Sequence, residues 1–266
     1  MKGWTLVTGA SGGIGLDMAE MFAEKGHNLI LVARSEDKLK ALAGTLKEKY
    51  KIEAEVIPCD LGVPRGAEAL YKATQDKGFK VQVLVNNAGF GEMAPFAKMS
   101  AGRVKQMVQL NIATLVDLCH LYLQGMEEFE KGAGILNVAS TAAFQPGPEM
   151  SLYYATKAFV LSFSEGLHEE MKPKGIHVSA LCPGPTRTQF MAEAGIEDGA
   201  MFKLPIVLDS KPVARAGVNG FLRNKAIVVP GFGNRSLIFS LRLTPRSWVR
   251  CMVKSLHKTA VKSAEQ

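Results

Sequence analysis

The 266-residue sequence predicts a doubly wound α/β fold, with a seven-stranded parallel sheet and helices on both faces. Short apolar runs alternate with longer segments of helical period almost to the end, and a glycine-rich turn joins the first run to the first helix. Strand–helix alternation of this kind places helices on both faces of a parallel sheet, and right-handed crossovers constrain the winding. The first strand, 4–8, stops at Gly9, and the first helix, 14–25, follows the turn. The second strand, 28–33, ends before Arg34-Ser35, and a helix is expected over 35–50. The third strand, 53–59, gives way to Asp60-Leu61 and a helix over 64–77. After the fourth, 81–86, come Asn87-Ala88-Gly89 and one long helix, 100–130. The fifth, 135–139, closes on Ser140 before a helix over 152–171. The sixth, 176–181, opens into a Gly/Pro/Met-rich stretch at 183–205, a helix at 210–223 and the seventh strand at 226–229. No repeat or linker marks a second domain, so 1–235 is expected to be one domain and 236–266 an extension.

Nearly half of the residues are hydrophobic, which excludes disorder as the dominant state. The four cysteines, Cys59, Cys119, Cys182 and Cys251, have no metal-type spacing and are expected to be buried free thiols. No metal site, secretory signal or membrane span is expected, and the cysteine usage fits a reducing cytoplasm. The net charge of +7 is unevenly placed: residues 1–202 carry −3 and residues 203–266 carry +10.

The turn Thr8-Gly9-Ala10-Ser11-Gly12-Gly13-Ile14-Gly15 sits between the first strand and the first helix. Glycines let backbone N–H groups approach a pyrophosphate at a helix N-terminus, where the dipole and the unpaired donors favour an anion. In this position the turn reads as the phosphate loop of a Rossmann-type dinucleotide site.

Its spacing, T-G-x-x-x-G-x-G, begins a series of motifs that resembles the short-chain dehydrogenase/reductases over about residues 4–230. Asn86-Asn87-Ala88-Gly89, Asn111, Ser140, Tyr153-x-x-x-Lys157 and Pro183-Gly184-x-x-x-Thr188 follow in order. The resemblance implies hydride transfer between a nicotinamide and a carbonyl or alcohol carbon. It implies that Tyr153 protonates the carbonyl oxygen, that Ser140 orients that oxygen, that Lys157 holds the nicotinamide ribose, and that Asn111 keeps a water linking Lys157 to solvent. The cofactor would be held by Gly9, Ser11, Gly13, Ile14 and Gly15. Asp60 and Leu61 would lie at the adenine, with further contacts from Asn87, Ala88, Gly89, Tyr153, Lys157, Pro183, Gly184, Thr186 and Thr188. Similar NAD-dependent enzymes place Asp where Ala33 stands, and Arg34 follows it, so NADP(H) is the expected cofactor.

Tyr153 and Lys157 share one helix face, and a nearby cation is expected to lower the phenol pKa towards working pH. Tyr154, three residues from Lys157, competes on spacing alone, and the spacing of Ser140 to Tyr153 favours Tyr153. Asn86 and Asn87 read as amides that stitch strand ends. Phe90, Met93, Phe96, Phe144, Phe190, Met191, Met201, Phe202 and Leu204 suit a pocket for a bulky apolar small-molecule substrate, with Glu92, Glu149 and Arg187 as its charged handles.

Beyond Pro230, Thr244-Pro245 reads as the cap and first position of a helix. Arg246, Arg250, Lys254, Lys258 and Lys262 recur along it in register with Arg242, and Trp248, Val249, Met252 and Leu256 lie on another face. Three readings of this amphipathic helix stand: packing on its own domain, attachment to an anionic membrane surface or acidic partner, and a subunit contact. A homo-oligomer is expected, and nucleic-acid binding is not. Two other functions compete: a catalytically silent NADP(H)-binding sensor, and a nucleotide-sugar epimerase, which normally needs a longer C-terminal region.

Overall fold

The structure, a computed structural model, describes residues 3–129, 131–194 and 207–264. Strands β1 (Trp4–Thr8), β2 (Asn28–Ala33), β3 (Ala54–Pro58), β4 (Val81–Asn86), β5 (Gly134–Val138), β6 (His177–Leu181) and β9 (Ile227–Val228) form one sheet in the order β3-β2-β1-β4-β5-β6-β9. Every neighbouring pair in it is parallel. A separate parallel pair joins β7 (Thr186–Arg187) to β8 (Leu208–Asp209). The helices are α1 (Gly13–Glu24), α2 (Glu36–Tyr50), α3 (Gly66–Asp76), α4 (Ala101–Val108), α5 (Thr114–Met126), α6 (Ser151–Met171), α7 (Phe190–Glu193), α8 (Ser210–Leu222), α9 (Phe232–Leu241) and α10 (Arg246–Ala264).

Strand alternation divides the core between the two faces of the sheet. Leu6, Ile30, Val32, Leu84 and Ile135 point towards α3, α5 and α6. Val7, Leu29, Leu31, Val83, Val85 and Leu136 point towards α1, α2 and α8, where Phe22 meets Phe221 at 6.2 Å. With both faces covered, the strands read as unbroken apolar runs. Strand order reverses between β1 and β4, and a cleft opens beyond the carboxyl ends of the strands at that switch point.

Four features differ from the sequence expectation. The single helix expected over 100–130 is α4 and α5 joined by a π-helical turn, Gln109–Ala113, whose wider winding carries the buried Asn111. The stretch after Pro230 contains α9, which has no strong apolar period to mark it. Thr244 does not act as a simple N-cap: its hydroxyl donates back to the Ser240 carbonyl (2.9 Å), while Pro245 supplies the carbonyl that receives Val249 N–H (3.2 Å). The cysteine expectation holds for Cys119 and Cys182 but not throughout, because Cys59 is only partly buried and Cys251 lies on the exposed side of α10.

Candidate active site

The glycine turn is built for close backbone approach. Gly9 takes φ +65°, and a Cβ there would strike the Asn87 amide nitrogen at 2.7 Å. A Cβ on Gly15 would run into the Gly9 carbonyl oxygen. Asn87 holds the turn in place, its Nδ2 donating to the carbonyls of Thr8 (3.0 Å) and Gly9 (3.2 Å). The helix that starts here has no side-chain cap and no acidic residue in its first turn, so its orphan N–H groups face the cleft. Asn86 works on the next strand: it donates to Asn137 Oδ1 (2.9 Å), and Asn137 donates to Ser164 Oγ (3.0 Å), fixing β4, β5 and α6 together.

One cleft of about 1120 Å³ takes in most of the sequence-predicted residues. Gly9, Ser11, Gly13, Ile14, Arg34, Asp60, Leu61, Asn87, Ala88 and Gly89 line one arm. Ser140, Tyr153 and Lys157 lie at its floor, and Pro183, Gly184, Thr186 and Thr188 close the far side. Gly15 is buried directly behind the turn. Asn111 sits just outside the lining, its Nδ2 donating to the Phe90 carbonyl (2.9 Å) and to Thr156 Oγ1 (3.1 Å). Arg34 is exposed at the cleft edge with Ala33 beside it, and Lys38, one turn into α2, adds a second cation there. Lys38 escaped the sequence reading, although its position four residues from Arg34 was a usable signal. Asp60 Oδ1 accepts from Gly62 N–H at 2.8 Å, which shapes the loop after β3.

At the floor, the two adjacent tyrosines have different partners. Tyr153 has Ser140 beside it in the cleft, whose Oγ accepts from Ala142 N–H at 3.1 Å. The Tyr154 hydroxyl instead meets His257 Nε2 on α10 at 3.2 Å. His257 Nδ1 lies 2.6 Å from the Pro148 carbonyl, which only accepts, so Nδ1 carries the proton; with His257 neutral, Nε2 accepts from Tyr154. Lys157 Nζ donates to the Val138 carbonyl (2.8 Å) and lies 5.9 Å from the Tyr153 ring centre.

Burial dominates the electrostatics of this floor. It pushes the Tyr153 hydroxyl up to about 12, with the neighbouring Ser140 pulling the other way. It also lowers Lys157 to about 8. The sequence expectation was a phenol lowered by the neighbouring cation. The loss of water around Tyr153 outweighs any such pull.

The apolar end of the cleft was legible only in part. Phe90, Met93, Phe190 and Met191 line it. Phe96 is exposed, and Phe144 packs against the core instead. Met201, Phe202 and Leu204 lie outside the described residues. None of the three charged handles lines the cleft. Glu92 pairs with Arg103 (2.7 Å), which lines the cleft and stacks over Phe90 at 4.2 Å. Arg187 pairs with Asp209 (3.0 Å) at the surface, and Glu149 sits behind the wall at φ +69°. The remaining wall comes from α9 and α10, through Leu237, Leu241, Val249, Met252, Val253 and Leu256. In α10, Val249, Val253 and His257 form the seam buried against the body, at a spacing of four that the sequence shows plainly.

The family model for short chain dehydrogenases matches residues 3–198. The chain belongs to the short-chain dehydrogenase family. Chicken hydroxysteroid dehydrogenase-like protein 1 is 32% identical over 92% of the chain and 73% of its own length. Rat very-long-chain 3-oxoacyl-CoA reductase is 37% identical over 68% of the chain, which spans 58% of that relative's length. A human relative, 35% identical over 71% of the chain and 57% of its own length, is an inactive hydroxysteroid dehydrogenase-like protein. Among solved structures, a short-chain dehydrogenase from Sphingobium yanoikuyae in complex with NADPH superposes with a TM-score of 0.80 at 33% identity, covering 91% of this chain and 94% of its own. A bulky-bulky ketone specific alcohol dehydrogenase from Comamonas testosteroni gives 0.75 at 32% identity, covering 91% and 92%. The active relatives among these act on alcohol and carbonyl groups. Among the described residues, no cluster of side chains could hold a metal ion, and no helix is long and apolar enough to cross a membrane.

Proposed function

We propose that the protein is an NADP(H)-dependent oxidoreductase that interconverts a bulky, apolar ketone and its secondary alcohol, with Tyr153 as the general acid–base. The observation that carries this is the convergence of Ser140, Tyr153 and Lys157 between an anion-binding turn and an apolar wall in one cleft. The cradle fits the cofactor: a Cβ would fill the turn at Gly9 and Gly15, and the α1 N-terminus is uncapped. NADP(H), when bound, donates or accepts the hydride. Gly9, Ser11, Gly13, Ile14 and Gly15 would hold its pyrophosphate, with Asp60 and Leu61 at the adenine. Asn87, Ala88, Gly89, Pro183, Gly184, Thr186 and Thr188 would flank the nicotinamide half, with Lys157 on the ribose.

Ser140 hydrogen-bonds the substrate oxygen and turns it towards Tyr153. In reduction Tyr153 gives its hydroxyl proton to that oxygen, and in oxidation it takes the proton back. Lys157 stabilises the phenolate that remains. Asn111, locked in the π-turn, keeps Lys157 in reach of solvent. The apolar wall supports a bulky substrate, as does the likeness to an enzyme specific for bulky-bulky ketones. The inactive human relative favours a second reading, a cofactor-binding sensor without turnover.

Arg34 and Lys38, with Ala33 in place of an acid, support NADP(H) over NAD(H). NADPH should bind at least about tenfold more tightly than NADH, a difference of about 1.4 kcal/mol that one charged hydrogen bond can supply. The double variant Ala33→Asp, Arg34→Ala should erase or reverse that preference in a binding titration. Equal affinities in the unmodified protein would contradict the assignment.

A further inference from the structure

The buried seam of α9 is Asn234 and Ile238, with Leu241 partly buried beside them, and it faces the body. The opposite side of the helix faces water, yet it carries large apolar groups. Phe232 is 85% exposed, Phe239 63% and, one turn on, Leu243 78%. Trp248, in the first turn of α10, is exposed as well, at 68%. At the helical period, Phe232, Phe239 and Leu243 fall on one line, with Arg235 and Arg242 along its edge. Arg246 and Arg250, on α10, are exposed too. None of these four arginines is in an ion pair among the described residues, and the sequence from 210 to 264 contains no Asp or Glu. Arg235 spends one donor on the Val229 carbonyl (2.9 Å) and keeps its charge at the surface.

Exposed aromatic and leucine side chains on a monomer surface mark an interaction site. The border decides the kind of partner. Exposed Phe, Leu and Trp with unpaired guanidinium groups, without a single carboxylate, are complementary to an interface that is apolar just beneath a negative surface. We propose that the outer face of α9, with the α9–α10 corner, docks on an anionic phospholipid membrane. The side chains of Phe232, Phe239, Leu243 and Trp248 enter the headgroup layer, and Arg235, Arg242, Arg246 and Arg250 meet lipid phosphates and carboxylates. This differs from what the basic repeat of the tail suggests. Of the apolar face that the tail helix would offer to a membrane, Val249 is spent on the body, and α9 adds exposed Phe232 and Phe239. Leu237, Ser240, Leu241 and Thr244, on the flank of the same helix and its corner, line the cleft. Docking would therefore set the cleft mouth at the bilayer, where an apolar substrate dissolves. That consequence rests on the proposed substrate class; docking itself does not.

The test is vesicle flotation of the full-length protein with NADPH present, so binding is read without turnover. Vesicles of phosphatidylcholine with phosphatidylserine should carry the protein at low ionic strength and release it in high salt, and pure phosphatidylcholine should not bind it. Phe232→Ser with Phe239→Ser, and separately Arg242→Gln with Arg246→Gln and Arg250→Gln, should each lower partitioning about tenfold or more while NADPH affinity stays unchanged. All five positions are exposed, so the variants keep the core intact. Failure to bind serine-containing vesicles at low salt overturns the proposal. Binding that survives the two serine substitutions overturns it as well, since charge alone would then account for it. So does a fall in oligomeric state of the Phe232→Ser, Phe239→Ser protein without lipid, which would assign this face to a second copy of the chain.

Discussion

Replacing Tyr153 by Phe should leave a folded protein that binds NADPH as before and reduces ketone about two to four orders of magnitude more slowly. The ring keeps its packing against Phe190 (5.5 Å between centres) and against Tyr154, so the change removes one hydroxyl and little else. In the proposed mechanism that hydroxyl is the proton donor, with Ser140 beside it in the cleft. Tyr154→Phe is the matched control. Its hydroxyl is committed to His257, and turnover should stay within a few-fold of the unmodified enzyme. Steady-state kinetics of both variants separate the two tyrosines, and the reverse pattern would assign the chemistry to Tyr154. The pH dependence follows from burial. With the hydroxyl held at about 12, the acid form persists through the neutral range, so ketone reduction should change little there. Alcohol oxidation needs the phenolate and should rise towards alkaline pH, and Tyr153→Phe should lose that rise.

Lys157→Met should cost about two to three orders of magnitude in turnover, as the loss of a preorganised charge typically does, and should make the fold more stable. Lys157 is buried with its Nζ on a backbone carbonyl, and desolvation lowers it to about 8 from an ordinary 10.5. The sign runs opposite to that of a lysine in an ion pair. Below about pH 8 the folded protein carries a charge that the unfolded chain carries more cheaply, so the burial cost is present in full. Between 8 and 10.5 the folded lysine is mostly neutral, the unfolded one is still charged, and the cost fades. The gap corresponds to ~3 kcal/mol, and an orphaned Val138 carbonyl returns ~1 kcal/mol of it. A net gain of ~2 kcal/mol at neutral pH would raise the melting temperature by roughly 4–8 °C, and the gain should vanish above pH 10.5. A variant that is inactive and less stable at neutral pH would show that Lys157 is held by favourable contacts instead. A gain in stability with loss of turnover is the signature of strain kept for function.

Strands and their ends were the most legible part of the sequence. Buried parallel strands are unbroken apolar runs, and Arg34, Asp60, Asn87, Ser140 and Pro183 each mark the point where a run meets the cleft. The π-turn at Asn111 was hidden because one extra residue in a helix leaves the local apolar pattern almost unchanged. The α9 helix was hidden for the opposite reason. Its apolar residues lie on both sides, Ile238 and Leu241 inward and Phe232 and Phe239 outward, so no single face stands out. Two of the three charged handles are spent on partners that spacing does not show: Glu92 is neutralised by Arg103 and Arg187 by Asp209. The spacing of Ser140 favours Tyr153 over Tyr154 in the sequence alone, whereas the contact of Tyr154 with His257, 103 positions away, is one that no local spacing connects to it.

The central claim, turnover with NADP(H) at a bulky carbonyl, is tested most directly by following NADPH absorbance while the protein is offered a panel of ketones graded in size. The account predicts stoichiometric conversion of ketone to alcohol, fastest with apolar groups on both sides of the carbonyl, slower with small ketones, and lost in Tyr153→Phe. Tight NADPH binding with no consumption across the whole panel would contradict it and leave the protein a cofactor-binding sensor.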